Sequence, residues 1–83
     1  MVQILETTNY EVHRLGNDSS YDITYAIRDK NNRAVRHLTR LEGINLSTGL
    51  AINRKKYEAK GDTTSFLDKV DWLCYRIMQE ERN

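Results

Sequence analysis

At 83 residues, 39% of them hydrophobic and 30% charged, the chain has the composition of one small globular domain rather than a disordered segment. A single cysteine, Cys74, excludes an internal disulfide and fits a reducing cytoplasm, and with two histidines it leaves too few soft ligands for a zinc site without carboxylates. No apolar run approaches the roughly 18 residues of a membrane span, and Met1-Val2-Gln3 opens no signal peptide. The net charge of +1 conceals a partition. Residues 28–60 carry +6, whereas residues 1–27 carry −3 and residues 61–83 carry −2. Such asymmetry bears on partners more than on fold.

Val2 to Thr7 reads as a short strand, and Asn9 to Leu15 as a clearer one, with Tyr10 and Val12 on one face and Glu11 and His13 on the other. Gly16 to Ser20 is rich in turn formers and returns the chain antiparallel. Tyr21 to Arg28 then alternates large apolar with small or polar residues, the period of a half-buried strand. Asp29-Lys30-Asn31-Asn32 suits a turn with Asn32 in the left-handed conformation, which predicts a three-residue loop pairing Asp29 with Arg33 and a following strand over 33–41. That register sets Ile27 opposite Val35 and Tyr25 opposite His37 on the core side. It leaves Arg28, Arg36 and Arg40 on a flat outer strip, with Arg33 nearby. A two-residue loop would instead put Arg36 and Arg40 among the tyrosines, and a buried unpaired charge is costly.

Residues 42–61 are ambiguous, punctuated by Gly43 and Gly49. They read as a helix or helical turn in 47–59, with a fourth strand at Leu50 to Asn53 as the other option. The last element is well marked. Asp62 to Ser65 supplies N-cap candidates, and Phe66, Leu67, Val70, Leu73, Cys74, Ile77 and Met78 recur at three- and four-residue steps. The expected fold is therefore α+β: a three- to four-stranded antiparallel meander with a C-terminal amphipathic helix on one face, forming one domain over 1–83.

The candidate binding residues follow from this layout. Arg28, Arg36, Arg40 and Arg33 make a basic sheet face, and sheets do present arginines to phosphates and base edges. Arg54, Lys55, Lys56 and Tyr57 form a second basic run, in which lysines could neutralise phosphates and the tyrosine stack on a base. Trp72 flanks the apolar stripe of the helix and is either an edge of the core or an interface anchor. A sheet of three strands backed by one helix resembles the layout of plant AP2-type domains and integrase arm-binding domains, which implies nucleic-acid binding. The small, charge-segregated, cysteine-poor chain also resembles the accessory proteins and inhibitors that phages direct against host machinery, which implies a protein partner. A pI of 7.9 is low for a dedicated nucleic-acid binder. The expectation is thus a non-enzymatic, cytoplasmic interaction protein that needs no cofactor and docks its basic face on an acidic protein surface or on nucleic-acid machinery. Nucleic-acid binding is the alternative, RNA cleavage by scattered His, Tyr and Arg a remote one, and a homodimer a variant.

Overall fold

The computed structural model describes residues 2–15 and 24–80. Four strands, β1 (Val2–Glu6), β2 (Tyr10–Leu15), β3 (Thr24–Asp29) and β4 (Val35–His37), form one antiparallel sheet in sequence order. Two helices follow, α1 (Arg40–Glu58) and α2 (Thr63–Gln79). The fold class is α+β with a meander, as the alternation of residues 2–15 and 24–28 implies. The expected strand residues 21–23 lie outside the described residues. Among the described residues no helix is long and apolar enough to cross a membrane.

Two features differ from the sequence expectation, and they are linked. The β3–β4 register is shifted by one residue: Ile27 lies opposite Arg36, Arg28 opposite Val35 and Ala26 opposite His37. The loop has four residues rather than three. Asp29 donates its N–H to the Ala34 carbonyl at 2.8 Å, and Arg33, not Asn32, takes the positive φ of 63°. Because side chains alternate with period two, this shift turns Arg36 and Leu38 inward and Val35 and His37 outward. The strand also ends early. Thr39 N-caps α1 in a reciprocal capping box with Glu42, so residues 40 and 41 are helical instead of extended.

The ambiguous stretch 42–61 is almost wholly helix. Its two glycines are packing devices, not breaks: a Cβ on Gly43 would stand 3.3 Å from the Tyr25 ring, and one on Gly49 would stand 3.2 Å from Leu73. Each glycine costs helix propensity of about 1 kcal/mol relative to alanine and lets α1 approach the sheet or α2 more closely. The helix ends with Gly61 at φ 66°, its N–H donating to the Glu58 carbonyl while the Asp62 N–H donates to Tyr57. This is the Schellman pattern. Asp62 at once N-caps α2, accepting from the Ser65 N–H at 3.0 Å and its hydroxyl at 2.6 Å. Those bonds, the Ser65 hydroxyl first, hold the Asp62 carboxyl below its usual range.

One face of the sheet carries Leu5, Tyr10, Val12, Tyr25 and Ile27, and α1 and α2 cover it with Leu46, Leu50, Phe66, Val70, Cys74 and Ile77. Asp71 fastens the far corner. Its carboxylate accepts from the Thr7 hydroxyl at 2.8 Å and the Asn9 N–H at 2.9 Å, tying the β1–β2 turn to the middle of α2. Burial pushes the Cys74 thiol up to about 12, and only thiolate reacts with alkylating agents. At pH 8, iodoacetamide should therefore leave Cys74 unmodified in the native protein and label it fast in denaturant. Mass spectrometry then reads the rate of global opening; prompt native labelling would mean the helix does not pack as described.

Candidate functional site

The four arginines of the expected sheet strip do not share a surface. Arg36 lies on the helix-covered side and is largely shielded, its side chain 12% exposed beside a Glu42 side chain 14% exposed. Its Nη2 donates to Glu42 Oε2 at 2.7 Å, and its Nη1 donates to the carbonyls of Ile77 and Glu80 at 2.5 and 2.6 Å. A cation placed on the last carbonyls of α2 adds a donor where the Ile77 carbonyl otherwise has only the Glu80 N–H, and complements the helix dipole. Arg36 thus joins β4, the first turn of α1 and the end of α2. Arg28 lies on the opposite, helix-free face, 3.4 Å from Glu11. Arg33 sits in the β3–β4 turn and Arg40 opens α1, both exposed.

The helix-free face instead holds a compact ionic cluster. Glu11 Oε1 lies 3.0 Å from His13 Nε2 and 3.4 Å from Arg28 Nη1, and Glu11 and His13 are both mostly buried. His13 is on the face the alternation assigns it, though largely shielded there, and His37, expected on the core face, is on this one across Ala26. The bond from His13 first, then the Arg28 charge, holds the Glu11 carboxyl below its ordinary 4.5. A folded-state value that is lowered contributes stability above 4.5 and loses it as pH falls through the folded value. Glu11→Gln should consequently destabilise at pH 7, and the gap to wild type should narrow steadily below pH 4.5 in denaturant titrations. A pH-independent gap would contradict the cluster.

The second basic run occupies the last turns of α1, with Arg54, Lys55 and Lys56 exposed. Tyr57 is half-buried and already engaged: Lys56 Nζ lies 5.4 Å and Lys60 Nζ 5.8 Å from its ring centre. Arg54 lies 5.8 Å from the Phe66 ring. Tyr57 is thus not presented as a stacking platform. Trp72 is half-exposed on α2 and stacks on Tyr75, ring centres 5.7 Å apart and 17° from parallel.

A surface that the sequence reading missed runs along the outside of α1. Gly43, Leu46 and Leu50 are buried on its inner side, yet Leu41, Ile44 and Ile52 are 68%, 52% and 62% exposed. With Thr48 they fall at i, i+3, i+7 and i+11, one stripe about 16 Å long at 1.5 Å per residue. Arg40 stands at one end and Lys55 and Lys56 at the other. A cleft of 230 Å³ beside the stripe is formed by Tyr25, Gly43, Ile44, Ser47 and Thr48. The spacing was present in the sequence, but reading 33–41 as strand removed Leu41 from it and the two glycines obscured the rest.

Compared with protein-family models, curated proteins and solved structures, the chain finds no match in any of the three.

Proposed function

We propose that the protein is a non-enzymatic interaction module whose docking surface is the outer face of α1, and whose partner is a protein presenting apolar side chains within an acidic surround. The observation that carries this reading is that α1 is apolar on both sides. A helix buried on one side normally presents polar residues on the other, and exposed apolar patches rimmed by charge mark interaction sites. Leu41, Ile44 and Ile52 supply the apolar centre, the cleft beside Tyr25 takes an anchor side chain, and Arg40, Lys55 and Lys56 complement the partner's carboxylates. The basic stretch 28–60 thereby acts through a helix, since the inward turn of Arg36 divides the expected sheet strip.

The test uses ¹⁵N-labelled protein and three probes: a helical peptide with leucines at i, i+3, i+4 and i+7 flanked by glutamates, the same peptide with lysines for glutamates, and a DNA duplex at low salt. The expected result is saturable shifts at Leu41, Ile44, Thr48 and Ile52 with the acidic peptide alone, weakened by Lys55→Glu with Lys56→Glu. Equal response to the lysine peptide, or shifts confined to 54–60 with DNA that vanish as salt rises, would overturn the reading, the latter in favour of a nucleic-acid binder.

A further inference from the structure

A second stripe, on α2, has the opposite chemistry and no part in the surface above. Asp68, Asp71, Trp72 and Tyr75 fall at i, i+3, i+4 and i+7, so two carboxylates and two stacked rings share one face of the helix. The β1–β2 and β3–β4 turns bring Asn9, Asn31 and Tyr10 to the same place, and together these seven residues line a cavity of 570 Å³ open to solvent. The two asparagines are joined, the Asn31 side-chain N–H donating to Asn9 Oδ1 at 3.2 Å. Asp71 is already committed to Thr7 and Asn9, while Asp68 is exposed and forms no ion pair with the described residues. Burial first, then the charges of Asp29 and Asp71, push the Tyr10 phenol at its floor above its ordinary value.

We infer that this cavity is a receptor for an arginine side chain of a peptide or protein ligand. A guanidinium is planar and weakly hydrated, stacks on aromatic faces and donates two parallel hydrogen bonds to a carboxylate. Trp72 and Tyr75 offer the rings, and cations are drawn to the faces of such rings. Asp68 is the free carboxylate one turn before Trp72, and Asn9 and Asn31 supply amide groups at the rim. A neutral side chain of the same shape would gain the stacking but lose the charge-assisted bonds. The site is separate from the α1 stripe, so a ligand here and a partner there can be held together.

Trp72 is the only tryptophan, so its fluorescence and its indole N–H resonance report on the cavity directly. The probe is acetyl-Gly-Arg-Gly-amide, compared with the same peptide carrying citrulline, which keeps the shape without the charge. Saturable quenching by the arginine peptide is expected, with citrulline weaker by about tenfold or more. Asp68→Asn should weaken the arginine peptide by a similar factor while leaving thermal unfolding unchanged, and Lys55→Glu should leave it unweakened. Equal binding of the two peptides, unaltered affinity in Asp68→Asn, or no saturable response would each overturn the inference. Failure here leaves the α1 reading standing, because the two stripes are read by different probes and different residues.

Discussion

Arg36→Met is expected to cost up to about 3–5 kcal/mol, the penalty for removing one partner of a fully buried ion pair, because both side chains are largely but not wholly shielded. The substitution removes the cationic partner of the Glu42 carboxylate, which keeps its bond from the Thr39 N–H, and removes the donor to the Ile77 and Glu80 carbonyls. A domain of this size has a total stability of about 4–12 kcal/mol at 0.05–0.15 kcal/mol per residue, so the loss is a large fraction of the whole. Arg36→Lys should recover little, because an ammonium on a shorter stem does not reproduce two separate Nη groups reaching three acceptors. Arg36→Met combined with Glu42→Met should recover part of that loss, because both charges are gone, less the capping-box bond that Glu42 makes to the Thr39 N–H. Urea denaturation of wild type, Arg36→Met, Glu42→Met and the double variant completes the cycle. An Arg36→Met variant as stable as wild type would mean that the guanidinium lies in solvent.

The second large effect separates the two sides of α1. Leu46→Ala should lose about 2–5 kcal/mol, through lost transfer energy and the cavity left behind, because Leu46 is 2% exposed in the core. Leu41→Ala, one and a half turns earlier on the same helix, should change stability by no more than about 0.5 kcal/mol, because Leu41 is 68% exposed. Chemically identical substitutions with such different results would establish that the outer leucine has no intramolecular reason to be apolar. Losses of similar size would show that both sides of α1 are packed within the chain, and the proposed docking surface would disappear.

What could be read in the sequence divides along physical lines. The stripe of α2 was legible because Val70, Cys74 and Ile77 repeat at helical steps against a polar opposite face. The strands β2 and β3 were legible because their alternation is local. The β3–β4 register was not, although its logic was sound for an unpaired charge: the partners that make an inward Arg36 tolerable are Glu42, Ile77 and Glu80, and the latter two lie 41 and 44 residues away. Helix α1 was blurred for a different reason. Apolar residues on both of its sides cancel the periodicity by which helices are recognised, and Gly43 and Gly49 look like breaks until Tyr25 and Leu73 are seen against them. Trp72 was visible as a residue beside the stripe of α2. Its companions Asn9 and Asn31 arrive from turns whose placement only the folded chain reveals.

The account rests on a one-residue choice of register, and cross-strand proton contacts in solution decide it. In an antiparallel pair the closest approach of opposing Cα atoms occurs at positions that do not exchange backbone hydrogen bonds. The hydrogen bonds from Asp29 to Ala34 and from Leu38 to Tyr25 place Arg28 with Val35, and Ala26 with His37, at such positions. Strong Hα–Hα cross peaks between those two pairs are predicted, and with them an inward Arg36. Cross peaks joining Arg28 to Ala34 and Ala26 to Arg36 instead would turn Arg36 back to the open face and contradict the account.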